Sequence, residues 1–325
     1  MFPMLVISGL PAPPQDSHAN LPALPGLGEL LRLADPGTSD HDWRSGLLRD
    51  LGAAEWANEA PAAVAAASLP IRPGTGVCLA VPAHAMIGIS RVHLHAAPLQ
   101  LDPVHMAAFA VAFEAQFGDE ARLHTVGNGW LMEAACAVAA SDDDPLHLLG
   151  QPLERLAAQS VEQRRLRRLG AEIEMWLADL PINAERVKRG QLPVNLLWLW
   201  GGGRVRGLAL PPGSSSLRLH AQQGDAWLAG CAALTGATMS PLDGGWQAVK
   251  HPQDSVIVLQ VTAMTDAAQW LRWDEQWFQP LLRDLHARRI NALTLRFGRR
   301  ALQVRRRLWS APWRRRRPWW QVATA

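Results

Sequence analysis

Apolar and polar positions alternate with a period that changes several times along this chain, and each change marks a predicted element. Met4 to Ile7 is an apolar run of strand length. Pro11 to Pro25 is a proline-rich loop leading into GLGELLRLAD, whose leucines recur at helical spacing. Pro36 and Gly37 are expected to stop that helix. Leu47 to Ser68 is alanine-rich and predicts helix up to the SLP stop, followed by two strands, GVCLAVPAH and ISRVHLHA. His93 and His95, two residues apart, share one face of the second.

The segment from Asp102 has the boundary chemistry of a helix, with Asp102 as N-cap, Pro103 at the first helical position and Gly118 closing it. ARLHTV and GWLMEAA then read as a hairpin whose GNG turn supplies positive φ. Strand, strand, helix, strand, strand predicts an inserted α+β subdomain. An amphipathic helix runs from Ser160 to Leu180, with Leu166, Leu169, Ile173, Trp176 and Leu177 on its apolar face and arginines on the other. LLWLW is apolar throughout, the pattern of a central strand covered on both faces. Beyond it SLRLH, AWLAGCAALTG, SVIVLQV, a helix from Ala267 to Arg288 and NALTLRF alternate strand with helix, which predicts a largely parallel α/β sheet.

Composition narrows the class. At 325 residues the chain suits two lobes or one domain with a large insertion. With 48% hydrophobic and 19% charged residues it belongs with globular chains and not with disordered or collagen-like ones. No apolar run approaches the roughly 20 residues that cross a bilayer, so no transmembrane helix is expected. The N-terminus lacks a basic leader region and prolines interrupt its apolar run, so it reads as a mature first strand, and a cytoplasmic location is expected. Cys78, Cys136 and Cys231 stand far apart without a CxxC pair and are expected to be reduced, buried thiols.

The net charge of +3 hides an asymmetry. Residues 296 to 325 hold ten arginines (296, 299, 300, 305, 306, 307 and 314 to 317) and no acid, so the rest of the chain is net acidic. The stretch from Arg299 to Arg317 interleaves arginine with Trp309 and Trp313, and Trp319 and Trp320 follow. That mixture suits phosphates and stacked bases, or an anionic surface, as partner.

Candidate chemistry centres on GGGRVRG. Glycines after a buried strand let backbone N–H groups approach an anion, and Gly201, Gly202, Gly203, Arg204 and Arg206 are the candidates to bind a phosphorylated or carboxylated small molecule. The string is neither a P-loop nor a dinucleotide fingerprint. Asp40, His41 and Asp42, with His84, His93 and His95 as companions, form the best grouping of metal-ligand residue types.

The pattern N-x-x-R-x-x-x-G-x-x-P-x-N, carried by Asn183, Arg186, Gly190, Pro193 and Asn195 and followed by an apolar strand and glycines, resembles the archaeal-type cofactor-independent phosphoglycerate mutases. DPLHLLG, Asp144 to Gly150, is similar to that family's DPH element. The resemblance implies an α/β, alkaline-phosphatase-like, mostly parallel sheet flanked by helices with a smaller inserted α+β subdomain. Residues 1–75 and 181–298 would form the core, 76–180 the insert and 299–325 a basic tail. It also implies two divalent metals and a serine nucleophile, yet ISGLPAPP stands where an aspartate pair is expected and no histidine follows SVIVLQV. NALTLRFG is followed by arginines instead of Asp-His-Gly. No metal, cofactor or catalytic residue is therefore assigned. PVNLLWLWGGG, the abundant tryptophan, the missing tyrosine and the arginine tail resemble RpfE-type bacterial regulatory proteins, a family tied to pathogenicity factors. Three functions stand open: a non-catalytic regulator on a mutase-like scaffold, an active metal-dependent mutase or phosphatase, and a nucleic-acid-binding protein acting through its tail.

Overall fold

Runs of apolar residues without polar interruption are stable only where both faces of a strand are covered. In the computed structural model two such runs, Met4–Ile7 and Val256–Leu259, lie side by side. The structure describes residues 3–8, 21–39, 42–88, 91–99, 101–153, 159–207, 215–222, 224–262, 265–305, 318, 319 and 321. The chain divides into two units, one of residues 1–57, 213–222 and 236–325, the other of 58–212 and 223–235.

The first unit opens with β1 (Met4–Ile7), α1 (Pro25–Leu33), β2 (Ala34–Ser39) and α2 (Trp43–Asp50). The second contributes α3 (Pro61–Ala65), β3 (Gly76–Ala83), β4 (Ala85–Ile87), β5 (Val92–Leu94), α4 (Pro103–Phe117), β6 (Ala121–Val126), β7 (Gly129–Ala134), α5 (Pro145–Leu148), α6 (Val161–Ala178), α7 (Pro181–Lys188) and β8 (Leu196–Arg204). β9 (Arg218–Ala221) belongs to the first unit and α8 (Ala226–Thr235) to the second. The first is completed by β10 (Thr238–Pro241), β11 (Ser255–Leu259), α9 (Ala267–Trp273), α10 (Gln279–His286), β12 (Ala292–Phe297) and β13 (Arg300–Arg305).

The first unit is an α/β layer built on a sheet of order β10-β9-β11-β1-β12-β13-β2. Its five strands from β10 to β12 run parallel, and β13 and β2 are added antiparallel at one edge. Every residue of β1, β11 and β12 is buried, which the apolar runs of β1 and β11 require and which in β12 takes in Thr294 and Arg296 as well. The expected helix stop at Pro36 and Gly37 is instead strand, because α1 ends at Leu33 and the chain pairs at once with β13. The start of the expected basic tail is strand too: in β13, Ala301, Leu302 and Val304 are buried. Arg296 sits on β12, 5% exposed, with its guanidinium on the Asp50 carboxylate at 2.6 Å. Gly46 of α2 leaves the room that guanidinium occupies.

Between α9 and α10 the helix widens into a π-helical turn, Asp274–Phe278, so the single helix expected from Ala267 to Arg288 is continuous but interrupted. Asp274, 1% exposed, points its carboxylate at the start of α1, which has no side-chain cap of its own. It accepts from the N–H groups of Gly26 (3.2 Å) and Leu27 (2.9 Å) and from Gln279 Nε2 (2.8 Å). Around it Trp270, Trp273, Trp277 and Phe278 join the core. Trp319 packs its ring 4.8 Å from that of Trp270 and donates to the Pro22 carbonyl at 3.0 Å.

The second unit holds an antiparallel sheet of order β6-β7-β3-β8 and the small hairpin β4-β5. Asp102 caps α4 by accepting from His105 N at 2.8 Å, as its sequence predicts, but Gly118 closes the helix with an ordinary right-handed φ of −58°. The GNG turn joins β6 to β7 with Gly127 at φ +60°. α6 begins with a capping box between Ser160 and Gln163 and buries Leu166, Leu169, Ile173 and Leu177. Trp176 meets Phe109, Phe113 and Phe117 edge-on at 5.3 to 5.8 Å. The stretch Leu47 to Ser68, expected as one helix, is broken by Gly52 at φ +84° and by Pro61, which starts α3. Cys78 and Cys231 are buried and Cys136 half-buried; all three are free thiols. Burial pushes Cys78 strongly upward and Cys231 up to about 12.

LLWLW departs most from expectation. It opens β8, which runs antiparallel to β3 at the edge of this sheet instead of in the middle of the parallel one. Its two-sided apolar character is nevertheless explained. Leu197 and Leu199 face the core under α4 and α6, and Trp198 and Trp200 face a second core with α3 and α8. Helices on both faces let an edge strand be apolar throughout. Among the described residues no helix is long and apolar enough to cross a membrane.

Replacing Asp274 by alanine strands two buried backbone donors and the half-buried Gln279 amide at once, and we expect a loss of about 2–4 kcal/mol. Urea denaturation monitored by tryptophan fluorescence should show a lower midpoint with an unchanged slope.

Candidate functional site

The motif residues come together around the entry to β8. Asn183, 7% exposed on α7, donates through Nδ2 to the carbonyls of Leu177 and Val194, both at 2.7 Å, and accepts from Val194 N at 2.8 Å. Arg186, 3% exposed, donates through Nε to the Leu192 carbonyl at 2.9 Å. Gly190 turns the chain at φ +71°. The Pro193 carbonyl meets His84 Nδ1 at 2.9 Å, and Asn195 uses both ends of its amide on the main chain of Ala85, at 2.7 and 2.9 Å. A side-chain amide thus continues the ladder between β3 and β8 where the backbone leaves it. The spacing of the motif is the spacing of a clasp around one turn.

Gly201, Gly202 and Gly203 were expected in a turn after the strand, and they lie inside it. The β3–β8 ladder shifts register between Val77 and Leu79, opposite this stretch, and Gly201 adopts φ +66°. A Cβ on Gly201 would press on Pro61, one on Gly202 would overlap the Ala137 carbonyl oxygen, and one on Gly203 would meet Ala60. The Gly201 N–H donates to the Ser141 carbonyl at 2.6 Å. Close packing, against backbone at Gly202 and against the side chains of Pro61 and Ala60 at Gly201 and Gly203, therefore leaves no room for a Cβ at any of the three. Arg204 donates to the Gly74 carbonyl at 3.2 Å, and Arg206 pairs with Glu59 at 3.1 Å.

Asp144 of DPLHLLG is a helix cap, accepting from Leu146 N at 2.9 Å. Asp42 is another, accepting from Ser45 N at 2.9 Å. Asp40 and His41 lie outside the described residues, as do Arg306, Arg307 and Arg314 to Arg317 of the basic stretch. His84 and His95 approach edge to face at 6.4 Å, and His93 sits on β5. Among the described residues no three His, Cys, Asp or Glu side chains are grouped as metal ligands.

In the first unit, the loop before β11 and the end of α10 line a half-open cavity of about 510 Å³. Trp246, 3% exposed, donates its indole N–H to Asp284 Oδ2 at 2.8 Å, and Arg289 Nη1 donates to Asp284 Oδ1 at 3.0 Å. Arg283 and the prolines 252 and 280 also line it. Gly245 admits the loop, since a Cβ there would strike the Gln276 carbonyl. Sequence reasoning passed over this cavity. Its only traces are DGGWQ and the cationic end of a helix, HARR, and nothing local brings them together.

No family model and no curated protein matches the chain. Solved structures are similar to it over most of their length. One is a cofactor-independent phosphoglycerate mutase from Thermoplasma acidophilum, 18% identical, with 94% of this chain and 90% of that one covered and a TM-score of 0.41. Another is the PH0037 protein from Pyrococcus horikoshii, 12% identical, with 93% and 87% covered and a TM-score of 0.44.

His220, on β9, is half-buried with Nε2 3.4 Å from Ser255 Oγ. Its pKa is held below the ordinary value of 6.5, chiefly by burial and to a lesser degree by Arg218, against a hydrogen bond to the Pro241 backbone that favours the charged form. Folding thus prefers the neutral ring. The unfolded chain binds the proton first as pH falls below about 6.5, so stability declines from there toward the lowered folded value. His220→Gln should flatten that decline in melting temperatures measured from pH 7 to pH 5. Separately, Gly202→Ala should cost about 1–3 kcal/mol through overlap with Ala137. Gly207→Ala, whose Cβ meets nothing, should leave the denaturation midpoint in place.

Proposed function

We propose that this chain is a non-catalytic regulatory protein on a phosphoglycerate-mutase-like scaffold, acting through a phosphorylated or carboxylated small molecule that it binds. The observation that carries the reading is the employment of the motif. Asn183 and Asn195 commit both ends of their amides to main chain, and Arg186 Nε holds the Leu192 carbonyl. The residues through which the chain resembles the mutases serve to hold β8. The strand ends support the same reading. β1 leads into Ser8 and Gly9 where the resemblance expects aspartates, and β12 leads into Gly298 and arginines where it expects Asp-His-Gly. Ser8, the serine at that edge, is itself buried and accepts from Val261 N at 2.9 Å, tying β1 to the exit of β11. The RpfE-type spelling of PVNLLWLWGGG supports the regulatory side.

Purified full-length protein, analysed for bound metal after incubation with Mn and Zn and assayed for phosphoglycerate isomerisation and phosphate-ester hydrolysis, should show no turnover in either assay. Stoichiometric metal together with turnover would replace this reading by an active metal-dependent mutase or phosphatase.

A further inference from the structure

The geometry points to the cavity between Trp246 and Arg289 as a binding site for a small organic anion, and we propose that its ligand carries a phosphate or carboxylate group held by Arg283 and Arg289. The assignment rests on the ligand-binding part of the proposed function and names where that ligand sits.

Size comes first. A cavity of about 510 Å³ falls in the ordinary range of small-molecule sites. Its charge is unbalanced as well, since two guanidinium groups and one carboxylate line it. Asp284 is engaged on both oxygens, by Trp246 Nε1 and by Arg289. Among the described residues Arg283 has no carboxylate within ion-pair distance, so one positive charge on the rim is left for a ligand. Guanidinium presents a planar fork of donors that matches a carboxylate or phosphate edge.

Rigidity is the third argument. Pro252 and Pro280 fix two walls, and the hydrogen bond to Asp284 together with core packing fixes the Trp246 ring behind the carboxylate. Arg288, directly beyond the cavity-lining Ala287, has φ +62° and is the one non-glycine with positive φ among the described residues. A left-handed residue of this kind closes a helix by returning the next N–H to a carbonyl of the last turn. That turn returns the chain so that Arg289 N donates to the Asp284 carbonyl at 2.9 Å while the Arg289 side chain reaches the Asp284 carboxylate. The end of α10 thus sets the Arg289 backbone beside Asp284. An anion taken up here would stand between Arg289, exposed and paired with Asp284, and Arg283, with its apolar portion against the prolines.

Isothermal titration of the full chain at low ionic strength with inorganic phosphate and with citrate tests this, the two probes separating phosphate from carboxylate recognition. We expect one of them to bind, Arg283→Ala and Arg289→Ala each to weaken it about tenfold, and Arg283→Lys to recover only part. Arg272→Ala, an exposed arginine on α9, is the control for general charge and should bind as the parent does. Near-UV circular dichroism confirms that each variant is folded. If a probe binds equally well to the parent, Arg283→Ala and Arg289→Ala, the cavity assignment is wrong while the ligand-binding reading survives. If neither probe binds the parent at millimolar concentration, both fall.

Discussion

Much of the first unit hangs on one carboxylate. Asp274 has two backbone donors from a helix more than 240 residues earlier in the chain and a third from Gln279, and it is buried among tryptophans. A buried charge is tolerable only when hydrogen-bonded, and the open N–H groups at the start of an uncapped helix are suitable partners. The arrangement demands that α1 come very near the π-helical turn, which is why Gly26 faces the Gln279 backbone with no space for a Cβ. The π-turn in turn sets the course of α10, and α10 carries Arg283 and Asp284 to the cavity. Capping, close packing and the candidate binding site are thereby coupled through one side chain.

The second unit relies on main-chain pairing extended by side chains. The β3–β8 ladder is prolonged past its backbone limit by the amide of Asn195, and the preceding turn is closed by Asn183. Further along β8 the glycines let the strand lie against the backbone of residues 137–140 and against Pro61. Polar and glycine-rich residues that invite a chemical interpretation are here occupied by the architecture itself. Arg296 is another case. It opens the arginine-rich region of the sequence, yet it is buried in the sheet and neutralised by Asp50. Charge left over after such pairing, as at Arg283, is the more informative signal of a ligand.

Several local features were legible because their causes are local. A strand at Met4–Ile7, the Asp102 cap, the GNG hairpin and the apolar face of α6 all follow from neighbours within a few residues. Helix interruptions at Gly52 and Pro61 were legible in principle, since both residues break helices, but an alanine-rich background obscured them. β2 and β13 were not legible. ADPGTS has the composition of a loop, and RALQVR is dominated by arginine; each is strand because a neighbouring edge needs hydrogen bonds.

Taken alone, the sequence determined the class of the fold, the alternation of strand and helix in the first unit, and the segment on which the motif lies, because apolar periodicity and capping chemistry act over a few residues. Tertiary structure decided which sheet receives LLWLW, since an unbroken apolar run reports that both faces are covered and says nothing of which strand lies beside it. It also decided that the motif and the glycines build backbone contacts, and that Trp246, Arg283, Asp284 and Arg289 line one cavity. Those four residues span more than 40 positions, and only the packing of α10 against the loop before β11 brings Trp246 to the Asp284 carboxylate.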